Sequence, residues 1–378
     1  MRLVLITQDF PPRRGGIQTY AVELAKRLAP RVRAFAVIAP RVEGSEEVDR
    51  EFSFRVVRAG TSDTLIAASA PLLGGLCLAD GFTHTLHAQW STAPAALALR
   101  ALGQLRRVAV AAHGRELLLT PWQGAAVAQR GYDGVRRKAL TGADLVLAGS
   151  EYTAGLARHL GVRSERLRVT RYGTDPERFR PLDATPLRAR LGLGESPVLL
   201  TIARLVERKG IDSVLRALVE VRRVVPNALY VVVGDGPERE RLGALARELG
   251  VEGAVRFVGS VSDAELPLWY SLGDVFVMPS RSEPPDVEGF GIVYLEAGAC
   301  ERPVVAARAG GVPDAVADGI SGLLVTPGEP EELAQKLSEL LRDPARAAAL
   351  GRAGRERVLA ELNWDSVAER TLAALDER

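Results

Sequence analysis

The chain has 378 residues, 47% hydrophobic and 25% charged, with a formal net charge of +2. This composition reads as a globular protein long enough for two domains of ordinary size. Cys77 and Cys300 lie far apart without metal-ligand spacing, which argues against a disulfide scaffold and fits a reducing cytoplasm. The charge is uneven. Residues 1–180 hold 26 Lys and Arg against 16 Asp and Glu, and the rest hold 23 against 31, so +10 is followed by −8. A basic first half can attract phosphates, nucleic acid or an anionic membrane, or can be solvated surface in an arginine-rich chain. Zinc spacing, a basic helix with interleaved aromatics and an RNA-binding aromatic signature are all missing, so no nucleic-acid partner is expected.

Met1 leads directly into the strand pattern Leu3–Thr7, too short for a signal peptide or a membrane span, so a cytoplasmic protein is expected. Next comes Asp9-Phe-Pro-Pro-Arg-Arg-Gly15-Gly16. Two prolines stiffen this loop, and two glycines let backbone approach a ligand before a helix opens at about Ile17. The three-glycine dinucleotide fingerprint is absent. A helix pattern at Gln18–Leu28 is followed by strand patterns at Ala34–Ala39 and Arg55–Arg58. The long apolar stretch Leu65–Ala79 contains Pro71 and paired glycines, and reads as core helix and turn. Strand patterns at Thr83–His87, Val108–Ala112 and Leu145–Gly149, with a helix at Val135–Thr141, complete the first half. The polar, Pro- and Gly-containing segment Tyr172–Pro181 reads as a linker.

The second half starts afresh. Strand patterns fall at Val198–Ala203, Tyr230–Gly234, Val255–Gly259, Val275–Pro279, Val304–Ala307 and Leu323–Val325. Helices fall between them at Ser213–Val224, Glu238–Leu249 and Ile292–Ala299, and after them at Glu331–Leu341. Such alternation predicts parallel sheets covered by helices. The expected fold is α/β: two doubly wound domains facing a central cleft, with ligands at the carboxyl ends of the strands. The halves are similar in architecture without a visible sequence repeat.

Candidate chemistry sits after those strands. His113, beside Gly114 at a strand end, can hydrogen-bond a substrate hydroxyl, although a lone histidine is commonly structural. Arg204 and Lys209 bracket a turn into a helix, and both can reach a diphosphate. Gly234 suits a wall of a nucleotide pocket, and Gly310-Gly311 closes the same rim. In Glu288-Gly289-Phe290-Gly291, continuing to Glu296, the glycines precede a helix whose N–H groups suit a phosphate. Glu288 is placed for sugar hydroxyls and Glu296 for a ribose diol. No Asp-x-Asp pair stands at a plausible strand end, so no metal is expected.

Taken in order, the Gly15-Gly16 loop, His113-Gly114, Arg204 to Lys209-Gly210, the Gly234 turn, Glu288 to Glu296 and Gly310-Gly311 resemble the family 4 retaining glycosyltransferases of GT-B fold. Two longer stretches, Asp9–Gln18 and Asp286–Ala297, are closer still to bacterial GDP-mannose-dependent phosphatidylinositol-mannoside mannosyltransferases. The resemblance implies retaining transfer of a hexose, mannose from GDP-mannose, to a hydroxyl of a lipid such as a phosphatidylinositol mannoside. It implies no required cofactor beyond the nucleotide-sugar donor. His113, Arg204, Lys209 and Glu288 are the implied catalytic residues. The donor set is Gly15, Gly16, Arg204, Lys209, Gly234, Gly289, Phe290, Gly291 and Glu296. The acceptor set is Gln18, Tyr20, Gln89, Arg115 and Glu116.

The domains expected are an acceptor-binding domain over 1–175, with a helix at about 364–378 packing back on it, and a nucleotide-sugar domain over 176–363. Reversible contact with an anionic membrane, at the inner face, is expected through Arg13, Arg14, Arg106 and Arg107. Alternatives left open are a UDP- or ADP-sugar donor with a soluble acceptor such as a small glycoside, a sugar-nucleotide epimerase of the same fold, a nucleotide-binding protein without activity, and a phosphorylase-like enzyme.

Overall fold

Short runs rich in Val, Leu and Ala form two all-parallel sheets in the computed structural model, which describes residues 1–13, 15–121 and 125–377. The first sheet contains β1 (Arg2–Ile6), β2 (Ala34–Ala39), β3 (Arg55–Arg58), β4 (His84–His87), β5 (Arg107–Ala112), β6 (Leu145–Ala148) and β7 (Leu167–Val169). Their spatial order is β3-β2-β1-β4-β5-β6-β7. The second contains β8 (Val198–Ile202), β9 (Leu229–Val233), β10 (Val255–Gly259), β11 (Val275–Met278), β12 (Val304–Ala307) and β13 (Gly322–Val325), in the order β10-β9-β8-β11-β12-β13. The central strands are continuous apolar runs because a parallel sheet is covered on both faces, and β8 is buried at every position. Strand order reverses beside β1 and beside β8. Loops leaving the carboxyl ends at such points diverge and leave room for a ligand.

The chain divides into two compact units, Met1–Tyr172 with the segment from Trp364 onward, and Gly173–Asn363. In the first, the helix Trp364–Asp376 lies on the helix Gly16–Leu28. Asp365 accepts from Arg27 Nε at 3.2 Å and Arg31 Nη2 at 2.7 Å. In the second, Val214, Leu218 and Val221 of the helix Ile211–Val224 share a core with Leu333 and Leu337 of Pro330–Arg342.

The structure departs from the sequence reading in three places. The strand β7, only three residues long, carries too little periodicity to be read. The helix at Val135–Thr141 extends over Ala126–Gly142. Leu65–Ala79 is not a core helix and turn: it lies in one helix, Leu65–Asp80, that runs through Pro71. Ile66, Ala67, Pro71, Gly75, Leu78 and Ala79 of this helix are exposed.

One device recurs in both units. Asp144, just before β6, accepts from Val108 N through Oδ2 at 2.9 Å, while its own N–H donates to Val108 O at 2.9 Å. Asp274, just before β11, accepts from Val198 N at 2.7 Å and donates to Val198 O at 2.8 Å. Asp144-Leu-Val-Leu and Asp274-Val-Phe-Val are thus a local echo that supplies an N–H at the start of the neighbouring strand with a partner. Asp144→Ala or Asp274→Ala strands that N–H and is expected to cost about 1–3 kcal/mol. Asn at either site retains the acceptor oxygen and should lose less, as measured by chemical denaturation followed by circular dichroism.

Candidate active site

In the second unit, the loops after β8 and β11 are joined through one carboxylate. Glu288 Oε2 accepts from Lys209 Nζ at 2.6 Å and from Arg208 Nη1 at 3.0 Å. Glu288 is 9% exposed and Lys209 8%, so the group is removed from water. Burial alone would raise the Glu288 carboxyl, but the two cations outweigh it and hold it below its ordinary value. The loops are also stapled by backbone: Arg281 N donates to Arg208 O at 2.7 Å, and Arg281 Nη2 reaches Asp212 Oδ2 at 2.7 Å. The turn after β12 closes on the same residue, with Gly311 N donating to Glu288 O at 2.9 Å. Gly310 has φ +54°, and a Cβ there would lie 2.3 Å from Glu288 O, so glycine is required on two counts.

Arg204, at the head of the same loop, is exposed. The backbone beside it is braced by the turn after β9, where Asp235 O accepts from Leu205 N at 2.9 Å. A Cβ on Gly234 would fall 1.9 Å from Ala203 O. Gly234 therefore serves close backbone packing that sets the Arg204 turn. Gly289 and Gly291 are half-buried, and Gly291 precedes the helix Ile292–Ala299 without a side-chain cap. Phe290 is 1% exposed, so its ring belongs to the core and only its backbone remains for a ligand. Glu296, on that helix, is half-buried and accepts from Tyr270 Oη at 2.6 Å. Burial pushes its carboxyl above the ordinary value, opposed by the Tyr270 hydroxyl and Arg178. Burial also pushes the Tyr270 phenol well up, which keeps it a donor.

In the first unit, a polar network occupies the ends of β1 and β4. Gln89 Oε1 accepts from Gln8 N at 3.0 Å, and Gln89 Nε2 donates to Asp9 Oδ2 at 2.9 Å. The Gln89 amide thus positions the Asp9 carboxylate, which is half-buried at the ligand end of the sheet. Gly15 and Gly16 are exposed, and the helix Gly16–Leu28 has no side-chain cap. Gln18 is half-buried near its start. Tyr20, expected at an acceptor, is instead 1% exposed, with its ring 5.1 Å from His113 and 5.3 Å from Tyr172. Helical spacing explains this: the position lies on the face that also buries Leu24 and Ala21.

His113 follows β5, and both of its ring nitrogens are taken. Nε2 lies 2.6 Å from Ala88 O, which can only accept, so Nε2 carries the proton. Nδ1 is then the acceptor for the Tyr172 hydroxyl. These two bonds fix the orientation of the imidazole expected to meet a substrate hydroxyl. Glu116 Oε1 accepts from His113 N at 2.7 Å, so Glu116 closes the turn, while Arg115 is exposed. Sequence reasoning passed over Arg208, Tyr270, Tyr172 and the Asp212–Arg281 pair. Arg208 had a local signal in Glu207-Arg208-Lys209; the others are joined only by the fold. Among the described residues, no group of three His, Cys, Asp or Glu side chains is gathered to hold a metal ion.

Residues 183–357 match the model of glycosyl transferases group 1, and residues 14–178 that of glycosyltransferase family 4. The chain is 39% identical over 379 residues to a relative from Mycobacterium tuberculosis, covering 97% of this chain and 96% of the relative. That relative is named a GDP-mannose-dependent alpha-(1-6)-phosphatidylinositol monomannoside mannosyltransferase. One of the same name from Mycolicibacterium smegmatis is also 39% identical, covering 100% and 98%. Sucrose-phosphate synthase from Thermosynechococcus elongatus superposes with a TM-score of 0.81 at 25% identity, covering 99% of this chain and 98% of that one. Anabaena HepE, crystallised with UDP, gives 0.82 at 22% identity over 99% of both chains, which supports the fold alone. The fold and the strand-end loops are those of a GT-B glycosyltransferase. This chain belongs to the family 4 glycosyltransferases.

Two outcomes follow from the geometry. Glu288→Ala leaves two cations without their counter-ion and is expected to cost about 3–5 kcal/mol of stability. Pairing Glu288→Gln with Lys209→Met should recover part of that loss in thermal denaturation. Because the Glu288 carboxyl is lowered in the folded chain, its contribution is present above the ordinary carboxyl value of 4.5 and is lost as pH falls through the folded value. The acid limb of unfolding should therefore be shallower in the double variant. For His113, imidazole nitrogen NMR should show the Nε2–H tautomer, and Tyr172→Phe should shift the Nδ1 resonance while the tautomer stays, because Ala88 O still holds the Nε2 proton.

Proposed function

We propose that this glycosyltransferase moves a mannosyl unit from GDP-mannose to a hydroxyl of a phosphatidylinositol monomannoside, with retention at the anomeric carbon. The observation that carries the reading is the near-full-length identity to relatives named for that reaction. A further relative, from Corynebacterium glutamicum and 31% identical over 98% of this chain, is named for a monoacylated form of the same acceptor.

The second unit takes the donor. Lys209, Arg208 and Glu288 together carry +1, and Arg204 adds a further exposed charge beside a leaving diphosphate. These groups stabilise the charge that develops as the bond from the anomeric carbon to the diphosphate oxygen breaks. Glu288 receives donor-sugar hydroxyls while Lys209 holds its carboxylate in place. Glu296 takes the ribose diol, oriented by Tyr270. The backbone N–H groups of Gly289 and Gly291, and those at the start of the helix at Gly16, suit phosphate oxygens. The acceptor oxygen attacks from the side the diphosphate leaves, and its proton passes to a diphosphate oxygen.

The first unit takes the acceptor. Asp9, held by Gln89, is the carboxylate placed to accept from an acceptor hydroxyl, and Gln18 and Arg115 lie on the same edge of the sheet. The fixed His113 ring leaves the residue's backbone carbonyl to bear on positive charge at the sugar. Reversible membrane contact accompanies a lipid acceptor. The arginines first suggested for it do not form one patch: Arg13 follows β1, whereas Arg106 and Arg107 stand at the opposite, amino end of β5. Arg107 is half-buried, and Arg14 lies outside the described residues.

The deciding experiment offers the purified protein GDP-mannose, UDP-glucose and ADP-glucose with phosphatidylinositol monomannoside. A product one hexose heavier and α-configured, from GDP-mannose alone, is expected. Transfer only from a UDP- or ADP-sugar to a soluble acceptor, or donor turnover without acceptor, would replace this reading. Arg204→Ala should lower turnover by a barrier of about 3–4 kcal/mol while the chain stays folded. Glu296→Ala should weaken binding of GDP itself in calorimetry.

A further inference from the structure

The apolar stretch Leu65–Ala79 and one groove of the first unit remain without a role. The groove measures about 760 Å³, within the range of small-molecule sites, about 300–1,000 Å³. Its floor is Trp90 and Pro94, which follow the end of β4. One wall is Ile66, at the start of the helix Leu65–Asp80. The other is the helix Ala126–Gly142, which presents Ala128, Gly131, Tyr132 and Val135 at i, i+3, i+4 and i+7. The Tyr132 ring stands edge-on to Trp90 at 5.2 Å.

Polarity is graded along this groove. Gln8, Gln89, Ser91 and Glu116 gather where β1, β4 and β5 end, and Glu116 is the residue that closes the His113 turn. The remaining lining side chains are apolar apart from the Tyr132 hydroxyl. Ile66 is 41% exposed and Val135 49%, and both line this one groove. From Ile66 the apolar surface continues along the helix through Ala67, Pro71, Gly75 and Leu78, the last 76% exposed. From Leu65 to Ala79 this helix carries no charged residue.

We propose that this groove binds an acyl chain of the lipid acceptor, with the headgroup at the Gln89–Glu116 end and the uncharged helix face as the side from which the chain leaves the bilayer. The inference rests on the lipid acceptor of the proposed function and assigns the part of the protein that reads the lipid. A phosphatidylinositol headgroup with its chain attached is an amphiphile whose polar-to-apolar order matches the groove. Each methylene buried is worth about fourfold in affinity.

The test compares mannosyl transfer to phosphatidylinositol monomannosides of increasing chain length with transfer to the deacylated, water-soluble glycerophosphoinositol monomannoside. In the wild type, KM should fall severalfold per added methylene until the groove is filled. Gly131→Leu fills the groove at a position where an added Cβ meets nothing within 4 Å, so the fold is retained. Gly131→Leu and Val135→Asp should abolish the chain-length dependence and leave turnover of the deacylated acceptor unchanged. A wild type indifferent to chain length, or variants that keep the dependence, would overturn the assignment.

Binding is read separately by quenching of Trp90 emission with a monoacyl phosphatidylinositol brominated on its chain, using Trp90→Phe as the blank. Quenching in the wild type but not in Gly131→Leu supports the groove even if neither acceptor is mannosylated, an outcome that would remove the proposed function instead. Absent quenching would sink the acyl-chain site, and equal quenching by a free brominated fatty acid would overturn its assignment to the lipid acceptor.

Discussion

A single carboxylate organises the second unit's ligand edge. Glu288 is nearly out of water, and an ionised carboxylate there is tolerable only because Lys209 and Arg208 both donate to it. The arrangement runs in both directions. The cations fix the carboxylate, and the carboxylate fixes the loop that carries Arg204. The backbone of the same residue receives Gly311, so the loops after β8, β11 and β12 meet at one point. A site built this way is assembled before any ligand arrives, and substrate charge enters a field already set by the protein.

The fold class was legible because parallel strands write themselves as unbroken apolar runs. Val198–Ile202 and Val275–Met278 need no context to be recognised. The glycine-punctuated strand ends were legible for the same reason, since backbone contact forbids a side chain. What escaped was pairing across long separations. Nothing local says that Lys209 meets Glu288, or that Tyr172 donates to His113, 59 residues away. Tyr20 and Phe290 misled because an aromatic near a glycine turn looks available until the helix phase or the core claims it. Leu65–Ala79 misled in the opposite sense: uniform apolarity suggested burial, yet the structure leaves one face of that helix uncovered.

The paired aspartates show how similar architecture can persist under divergent sequence. Asp144 and Asp274 each bridge the start of one strand to its neighbour with the same two hydrogen bonds. Only the aspartate and the apolar run behind it are needed, so the surrounding residues are at liberty to differ. The site residues of the two units share no such echo, which fits their different tasks: cations and carboxylates in one, and the amides of Gln8 and Gln89 around Asp9 in the other.

The helix Trp364–Asp376 completes the first unit, although 191 residues of the second unit precede it in the chain. Trp364 packs against Tyr20 with ring centroids 6.4 Å apart, and Asp365 holds Arg27 and Arg31. During synthesis, the unit that leaves the ribosome first therefore lacks a piece of its own core until the residues from Trp364 onward are made. The face of the helix Gly16–Leu28 that Trp364 covers is bare throughout that interval. The second unit, by contrast, has all of its strands in hand before Trp364 is made. Folding thus closes in the reverse order of its opening, and the nascent protein cannot finish its glycine-loop unit until the helix Trp364–Asp376 returns to it.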